Sequence, residues 1–183
     1  MKKIPFVKYT SCGNNFVIVD QTQDCSLRES DITAFAFQAT NMNFGVGCDN
    51  LLVVQRCSKR TLSAINQAHH YWSSLPDAHH ADFLFRMFEP SGEEALCCGN
   101  GLMCIANYLY DSYGIETSRI MTEIPLAVPR VRVIGTSGTV VTSAGRGSRH
   151  RSVWGWANMG YPRKAPQELA SRDHLQCRGE AMD

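Results

Sequence analysis

The sequence predicts an α+β fold. Two observations support this: the predicted strands are short and separated by turns, and the predicted helices do not alternate with strands in a repeated βαβ rhythm. Short strands joined by turns favour antiparallel pairing around a helix. The chain has 183 residues, 44% of them hydrophobic and 19% charged, which is typical of a soluble globular protein with one well-filled core or two small ones.

Apolar patterning places the individual elements. Helices are predicted near Asp31 to Thr40 and Gly101 to Tyr113, where apolar residues recur at helical spacing. The residues around 135–139 and 143–148 have the composition of loops, and Trp154 and Trp156 flank Gly155 as in a short strand. Strands are predicted at Ile4 to Tyr9, Phe16 to Asp20, Leu51 to Arg56, Asp82 to Phe88 and Arg130 to Gly135.

The segment from Cys57 to Ala81 carries four of the six histidines, as the pairs His69-His70 and His79-His80. Paired imidazoles can bind metal or phosphate, but no carboxylate or cysteine pattern frames these. Serine, asparagine, proline and aspartate around them indicate a surface loop, and we expect residues 57–81 to be a surface insertion.

Composition and charge argue against several classes of protein. The net charge is +1 and basic residues are scattered, so we expect no nucleic-acid or membrane partner. The basic start of the chain lacks the apolar stretch of a signal peptide, and we expect a cytoplasmic protein whose eight cysteines are reduced thiols. These cysteines include no C-x-x-C pair, so we expect no metal site.

The most informative segment is Cys98-Gly99-Asn100-Gly101, at a predicted change from extended chain to helix. The first N–H groups of a helix have no intrahelical partner and the peptide dipoles add partial positive charge, so this end attracts anions such as a carboxylate or a thiolate. The two glycines leave those N–H groups open to a ligand. Alternatively, the cysteine is a small buried hydrophobe and Gly-Asn-Gly an ordinary tight turn.

Three further turns adjoin predicted strands. They are Cys12-Gly13-Asn14-Asn15-Phe16, Phe44-Gly45-Val46-Gly47-Cys48-Asp49-Asn50 and Phe88-Glu89-Pro90-Ser91-Gly92-Glu93. Together with the cysteine segment, such turns can converge on one small polar ligand.

These motifs, in this order, resemble the N-terminal half of the diaminopimelate epimerase family, and Asn158-Met159-Gly160-Tyr161-Pro162 is similar to the segment that closes that half. The resemblance implies a curled, mostly antiparallel sheet around a central helix, as one half of a two-half fold. It also implies an isomerase of lysine biosynthesis that converts L,L- to meso-diaminopimelate without a cofactor. Inversion at Cα needs a base on one face and an acid on the other, and the family uses one cysteine from each half.

The resemblance assigns roles residue by residue. Cys98 matches the first catalytic cysteine, with Cys97 as a rival, and Gly99, Asn100 and Gly101 match the N–H groups that bind the reacting carboxylate. Asn14 and Asn50 match amide side chains of the substrate pocket, although the family usually has glutamine at the second position.

Two positions depart from the family pattern. Glu89 stands where the family has asparagine, and this carboxylate would repel a substrate carboxylate and attract an ammonium group. Ser91 stands where the family has aspartate. Both changes concern recognition of the far end of the substrate.

The motifs of the family's second half are not found after Pro162. We therefore expect residues 1–165 to form an N-terminal half-domain and residues 166–183 to be a linker or the truncated start of the second half. The expected partners are an amino-acid substrate and a second half-domain or a homodimer partner, without which the chain is inactive and exposes an apolar face. Two alternatives stay open: a non-catalytic remnant that binds an amino acid or a partner protein, and a thiol hydrolase or redox protein that uses Cys98 alone, with a histidine as base in the hydrolase.

Overall fold

A computed structural model describes residues 3–23, 26–95, 97–122, 139–146 and 153–157. These residues form three helices, α1 (Ile32–Thr40), α2 (Lys59–His69) and α3 (Gly99–Tyr113), and short 3₁₀ turns at Glu29–Asp31 and Ala78–His80. Their strands are β1 (Val7–Ser11), β2 (Asn14–Gln21), β3 (Asn50–Arg56), β4 (Phe83–Phe88), β5 (Glu94–Ala95), β6 (Thr117–Met121), β7 (Thr139–Arg146) and β8 (Val153–Ala157).

All eight of these strands belong to one sheet, in the order β1-β2-β3-β4-β6-β7-β8, with β5 paired to β4. The pairs β2–β3 and β4–β6 are parallel, and the others are antiparallel. Parallel neighbours need a crossover connection, which α1 supplies for the first pair and α3 for the second. The predicted α+β, mostly antiparallel fold is confirmed, whereas the two parallel pairs were not predicted.

The central strands are buried on both faces, so they carry nearly continuous apolar runs. Alternate residues of β2 and β3, such as Phe16 and Leu52, pack with Leu102 and Ile105 of α3 on one face. Their neighbours along the strands pack with α1 on the other face, which also carries Leu84 against α2. The core therefore has two layers, divided by the sheet.

The sheet curls around α3. The helix contacts β1 and β2 at one edge of the sheet and β7 and β8 at the other edge. A flat sheet of this width could not bring both edges to one helix, so α3 is the central helix of the fold.

Most predicted elements are present, with shifted ends. The first strand is Val7–Ser11 rather than Ile4 to Tyr9, and α3 begins at Gly99 rather than Gly101. The short strand expected around Trp154 and Trp156 is confirmed as β8. The prediction of loops was wrong for Thr139 and residues 143–146, which belong to β7, and strands β5 and β6 were not predicted.

The expected loop in residues 57–81 contains helix α2. Ser58 caps its N-terminus, because the Ser58 side chain accepts a hydrogen bond from the Thr61 N–H at 3.1 Å. Leu62 and Ile65 are buried against the sheet. The prediction of an irregular surface loop was therefore wrong for this part of the segment.

Other expectations lie outside the described residues: the strand at 130–135, the motif at 158–162 and the segment 166–183. Among the helices that are described, none has the length and apolar character required to cross a bilayer.

Candidate functional site

Helix α3 begins at the predicted cysteine segment. Cys98 is the N-cap residue, with extended backbone angles, and its side chain makes no capping hydrogen bond. The first helical hydrogen bond runs from the Leu102 N–H to the Cys98 carbonyl at 2.9 Å. Within the described part of the chain, the N–H groups of Gly99, Asn100 and Gly101 therefore have no protein acceptor, as at any uncapped helix start.

The two glycines of this turn have different surroundings. Apart from its chain neighbours and the backbone of its own helix, a Cβ atom built on Gly99 would have no heavy atom within 4 Å. A Cβ atom on Gly101 would lie 3.2 Å from the ring of Phe85, which is tighter than an ordinary van der Waals contact. Gly99 thus leaves the N–H groups accessible, whereas Gly101 allows the helix to pack closely on β4.

The thiols near this turn differ in environment. Cys98 is partly buried at the edge of the core cluster beneath α3. Burial raises the pKa of Cys97 to about 12 and that of Cys104 to about 12, so both thiols are protonated at neutral pH. This favours Cys98 over its rival Cys97 as a reactive thiol.

Two of the predicted asparagines meet at the start of α3. The Asn100 side chain donates a hydrogen bond from Nδ2 to Oδ1 of Asn14 at 2.8 Å. The Asn14 Nδ2 lies 3.4 Å from the carboxylate of Asp49, which also accepts the Asn15 N–H at 2.8 Å. This chain of contacts fixes the β1–β2 turn against the helix N-terminus.

Asn50 lies at the same end of the sheet, since it is paired with Phe16 in the β2–β3 register. Its Nδ2 donates to Oε2 of Glu89 at 2.9 Å. An open cleft of about 510 Å³ adjoins these groups, with Asn14, Asn50 and Glu89 in its wall. The remaining lining residues are Thr40, Asn41, Met42, Asn43, Cys48, Asp49 and Pro90.

The structure brings together Asn14 and Asn100 directly, and it places Asn14 and Asn50 in the wall of one cleft. Cys98, Gly99, Asn100 and Gly101 do not line that cleft, and the Asn100–Asn14 contact is their link to it. Ser91 is exposed, and its hydroxyl accepts the Glu93 N–H at 3.3 Å.

Asp49 was not identified from the sequence as a site residue. It follows the Gly-Val-Gly-Cys turn, where a short acidic side chain is a common acceptor for backbone N–H groups, so the turn itself carried a signal. Only the fold shows that the N–H groups concerned belong to the β1–β2 turn, 34 residues away.

A buried ion-pair network around Arg86 was also missed. Arg86 on β4 is 0% exposed and contacts Glu94 with Nε and Nη2 and Glu29 with Nη1 and Nη2. Burial acts to raise the pKa of Glu29, but Arg86 and His69 hold it below its usual value. An arginine inside an apolar strand is the available signal, because a buried charge must be paired.

Four histidines lie in the described residues, at positions 69, 70, 79 and 80. The ring of His69 contacts Glu29 at 2.8 Å and stacks on Tyr71, and His80 contacts Asp77 at 3.2 Å. No hydrogen bond joins any of these four rings to Cys98. Nothing here therefore favours a cysteine–histidine hydrolase.

The fold and the site define an α+β protein in which a curled sheet surrounds one helix, with a cysteine and unpaired N–H groups at the start of that helix. Residues 6–127 match the sequence model of the family described as diaminopimelate epimerase. The chain therefore belongs to the diaminopimelate epimerase family.

Curated relatives with that name match most of this chain but less than half of their own length. The diaminopimelate epimerase of Archaeoglobus fulgidus is 26% identical over 93% of this chain and 48% of its own length. That of Acinetobacter baumannii is 28% identical over 91% of this chain and 46% of its own length. That of a Synechococcus strain is 33% identical over 73% of this chain and 40% of its own length. The chain thus spans about half the length of the curated relatives it matches.

Proposed function

We propose that this chain provides one of the two thiols of a cofactor-independent amino-acid epimerase, which interconverts L,L- and meso-diaminopimelate in lysine biosynthesis. The observation that carries the proposal is the juxtaposition of Cys98 with three N–H groups that lack protein acceptors in the described part of the chain. The names of the relatives supply the substrate.

In the proposed mechanism, the N–H groups of Gly99, Asn100 and Gly101 bind the carboxylate next to the reacting carbon. The Cα–H group of an amino acid is a very weak acid. The N–H groups offset the negative charge of the adjacent carboxylate, which stabilises the carbanion that forms when the proton leaves. The Cys98 thiolate acts as the base and removes the proton from one face of Cα, and an acid on the other side delivers a proton to the opposite face. Asn14 positions Asn100, and with it the first turn of α3.

We propose that this acid is a cysteine of a complementary half, which is either a second half-domain or another copy of the chain. Support comes from the length of the relatives, about half of which this chain matches. Exposed apolar side chains on α1 and the loop after it, Phe37, Met42 and Phe44, also support a covering polypeptide on the cleft side.

The cleft beside Asn50 is the proposed position of the distal end of the substrate. Both charged side chains in its wall, Asp49 and Glu89, carry carboxylates. They favour the distal ammonium group of diaminopimelate over its carboxylate at this place.

We also propose a cytoplasmic location. The six described cysteines are all free: Cys12, Cys48, Cys57, Cys97, Cys98 and Cys104. Six free thiols in one small protein support a compartment in which thiols are kept reduced.

The proposal is tested by alkylation of Cys98 with iodoacetamide, followed by peptide mass spectrometry. We expect L,L-diaminopimelate to slow Cys98 labelling at least fivefold. The diamine 1,5-diaminopentane, which has the same chain and amino groups but no carboxylate, should give no protection. Equal labelling with and without diaminopimelate, or equal protection by the diamine, would show that these N–H groups do not bind a carboxylate beside Cys98.

A further inference from the structure

Among the described residues just before Cys98, strand pairing is that of β5. Strand β5 consists of Glu94 and Ala95, which pair only with Phe88 and Met87 of β4. Cys98 follows three residues after Ala95. The position of the thiol therefore depends on what holds β5 in place as well as on α3, whose first helical hydrogen bond ends at the Cys98 carbonyl.

Side chains provide a second attachment of β5. Arg86 on β4 contacts Glu94 through two hydrogen bonds, from Nε to Oε1 and from Nη2 to Oε2, each 2.6 Å long. The Arg86 side chain is 0% exposed and that of Glu94 is 4% exposed. A two-point contact between a guanidinium and a carboxylate fixes both distance and orientation.

Segment 57–81 extends this contact. The Tyr71 hydroxyl donates to Oε2 of Glu94 at 2.8 Å, so this carboxylate is held from two sides. On the other side of the guanidinium, Arg86 donates from Nη1 to Glu29 at 2.8 Å, and Glu29 lies in the 3₁₀ turn before α1. Glu94 is thus the one of the two carboxylates that belongs to the segment entering α3.

We propose that Arg86 and Glu94 are positioning residues that hold Cys98 at the start of α3, with Tyr71 as a third member of the group. This inference rests on the proposed role of Cys98 as the reactive thiol. It assigns to α2 and the chain after it a contribution to the site through one hydroxyl group, without contact with a substrate.

The test compares two matched substitutions, Glu94→Gln and Glu29→Gln, in the full 183-residue chain. Each replaces one carboxylate that contacts Arg86 by an amide of the same shape. The readout is the second-order rate of Cys98 alkylation by iodoacetamide without added ligand, together with the melting temperature. We expect Glu94→Gln to lower the Cys98 rate at least fivefold, because the sulfur is no longer held at the positive end of α3. Glu29→Gln should leave it within twofold, although both variants melt earlier than the parent.

Labelling of Cys97 separates positioning from unfolding, since that neighbouring thiol is partly buried and its pKa is raised to about 12. A Cys98 rate in Glu94→Gln equal to that of Glu29→Gln, or a rise in both Cys97 and Cys98 labelling, would overturn the inference, because Glu94 would then only stabilise the fold. Tyr71→Phe, which removes a single hydroxyl, provides a milder variant if Glu94→Gln does not fold. It should lower the Cys98 rate two- to threefold, and an unchanged rate in this variant would count equally against the inference.

The outcome is independent of the proposed substrate. Absence of protection by diaminopimelate in the parent chain would contradict the proposed function, while the unliganded alkylation rates would still decide the positioning role. Conversely, equal rates in the Glu94 and Glu29 variants would leave the protection experiment unaffected.

Discussion

Gly99 and Gly101 lie two residues apart in the first turn of α3, and their surroundings differ. The Gly99 side of the turn is open, while the Gly101 side is filled by Phe85 and Leu52. A methyl group at the first position would enter the space through which a ligand reaches the N–H groups. A methyl group at the second would push against the core.

Alanine substitution separates these roles. Gly99→Ala should not lower the melting temperature, because alanine is a better helix former by about 1 kcal/mol, but it should reduce protection of Cys98 by diaminopimelate. Gly101→Ala should lower the free energy of unfolding by about 1–3 kcal/mol through overpacking against Phe85. Thermal melts and the alkylation assay measure both effects. A Gly101→Ala protein as stable as its parent, or full protection in Gly99→Ala, would contradict this division.

Individual residues of the site were partly predictable. Asn14 and Asn100 were named from turn motifs, and a hydrogen bond joins their side chains. The contact between Arg86 and Glu29 was not predictable, because the two residues lie 57 positions apart along the chain and only the folded structure brings them together. The apolar sequence around Arg86 indicates that its charge is buried, and the fold shows which carboxylates pair with it.

At the scale of elements, α2 shows how a polar segment becomes part of the fold. Its exposed face and the histidines around it indicate a loop, yet Leu62 and Ile65 are three positions apart and point to one side of the helix. Both are 0% exposed. The helix is thus attached to the sheet by a narrow apolar stripe, flanked by many polar residues.

Truncation of that stripe should be costly. Leu62→Ala should lower the free energy of unfolding by about 2–5 kcal/mol, because it leaves a cavity between α2 and the sheet. Gln67→Ala, on the exposed side of the same helix, should change it by no more than about 0.5 kcal/mol. Urea denaturation of both variants provides the measurement. Similar stabilities for the two would mean that α2 does not pack on the sheet.

Strands differ in how well their sequences reveal them. The apolar runs of β2, β3 and β4 are buried on both faces and were predicted within two residues at each end. Strands β6 and β7 contain polar residues whose burial depends on their pairing: the hydroxyls of Ser118 and Thr142 are buried and hydrogen-bonded to each other at 3.0 Å. This pairing of two hydroxyls is visible only once the strands are paired, so β6 was not predicted and parts of β7 were predicted as loops.

At the scale of the whole molecule, proton transfer depends on more than the described thiol site. Desolvation raises the pKa values of the partly buried Cys97 and of the buried Cys104, so neither is suited to deliver a proton to the far face of a bound amino acid. Within the described part of the chain, Cys98 is thus the thiol that the start of α3 presents.

We therefore expect the 183-residue chain, as a monomer, to show no epimerisation of L,L-diaminopimelate. The measurement is deuterium incorporation at Cα in heavy water, followed by proton NMR, with the full-length Acinetobacter baumannii relative as positive control. Exchange at a rate comparable to that control would contradict the need for a complementary half.

The curl of the sheet also bears on how the protein forms during synthesis. Helix α3 touches both β1 near residue 7 and β8 near residue 157, so its two flanks are covered by segments about 150 positions apart. Contacts between distant parts of a chain form slowly, because a long loop must close first. On the ribosome, the side of this helix that contacts β7 and β8 therefore stays uncovered until those two strands have emerged, and chaperones have their best opportunity to bind there during that interval.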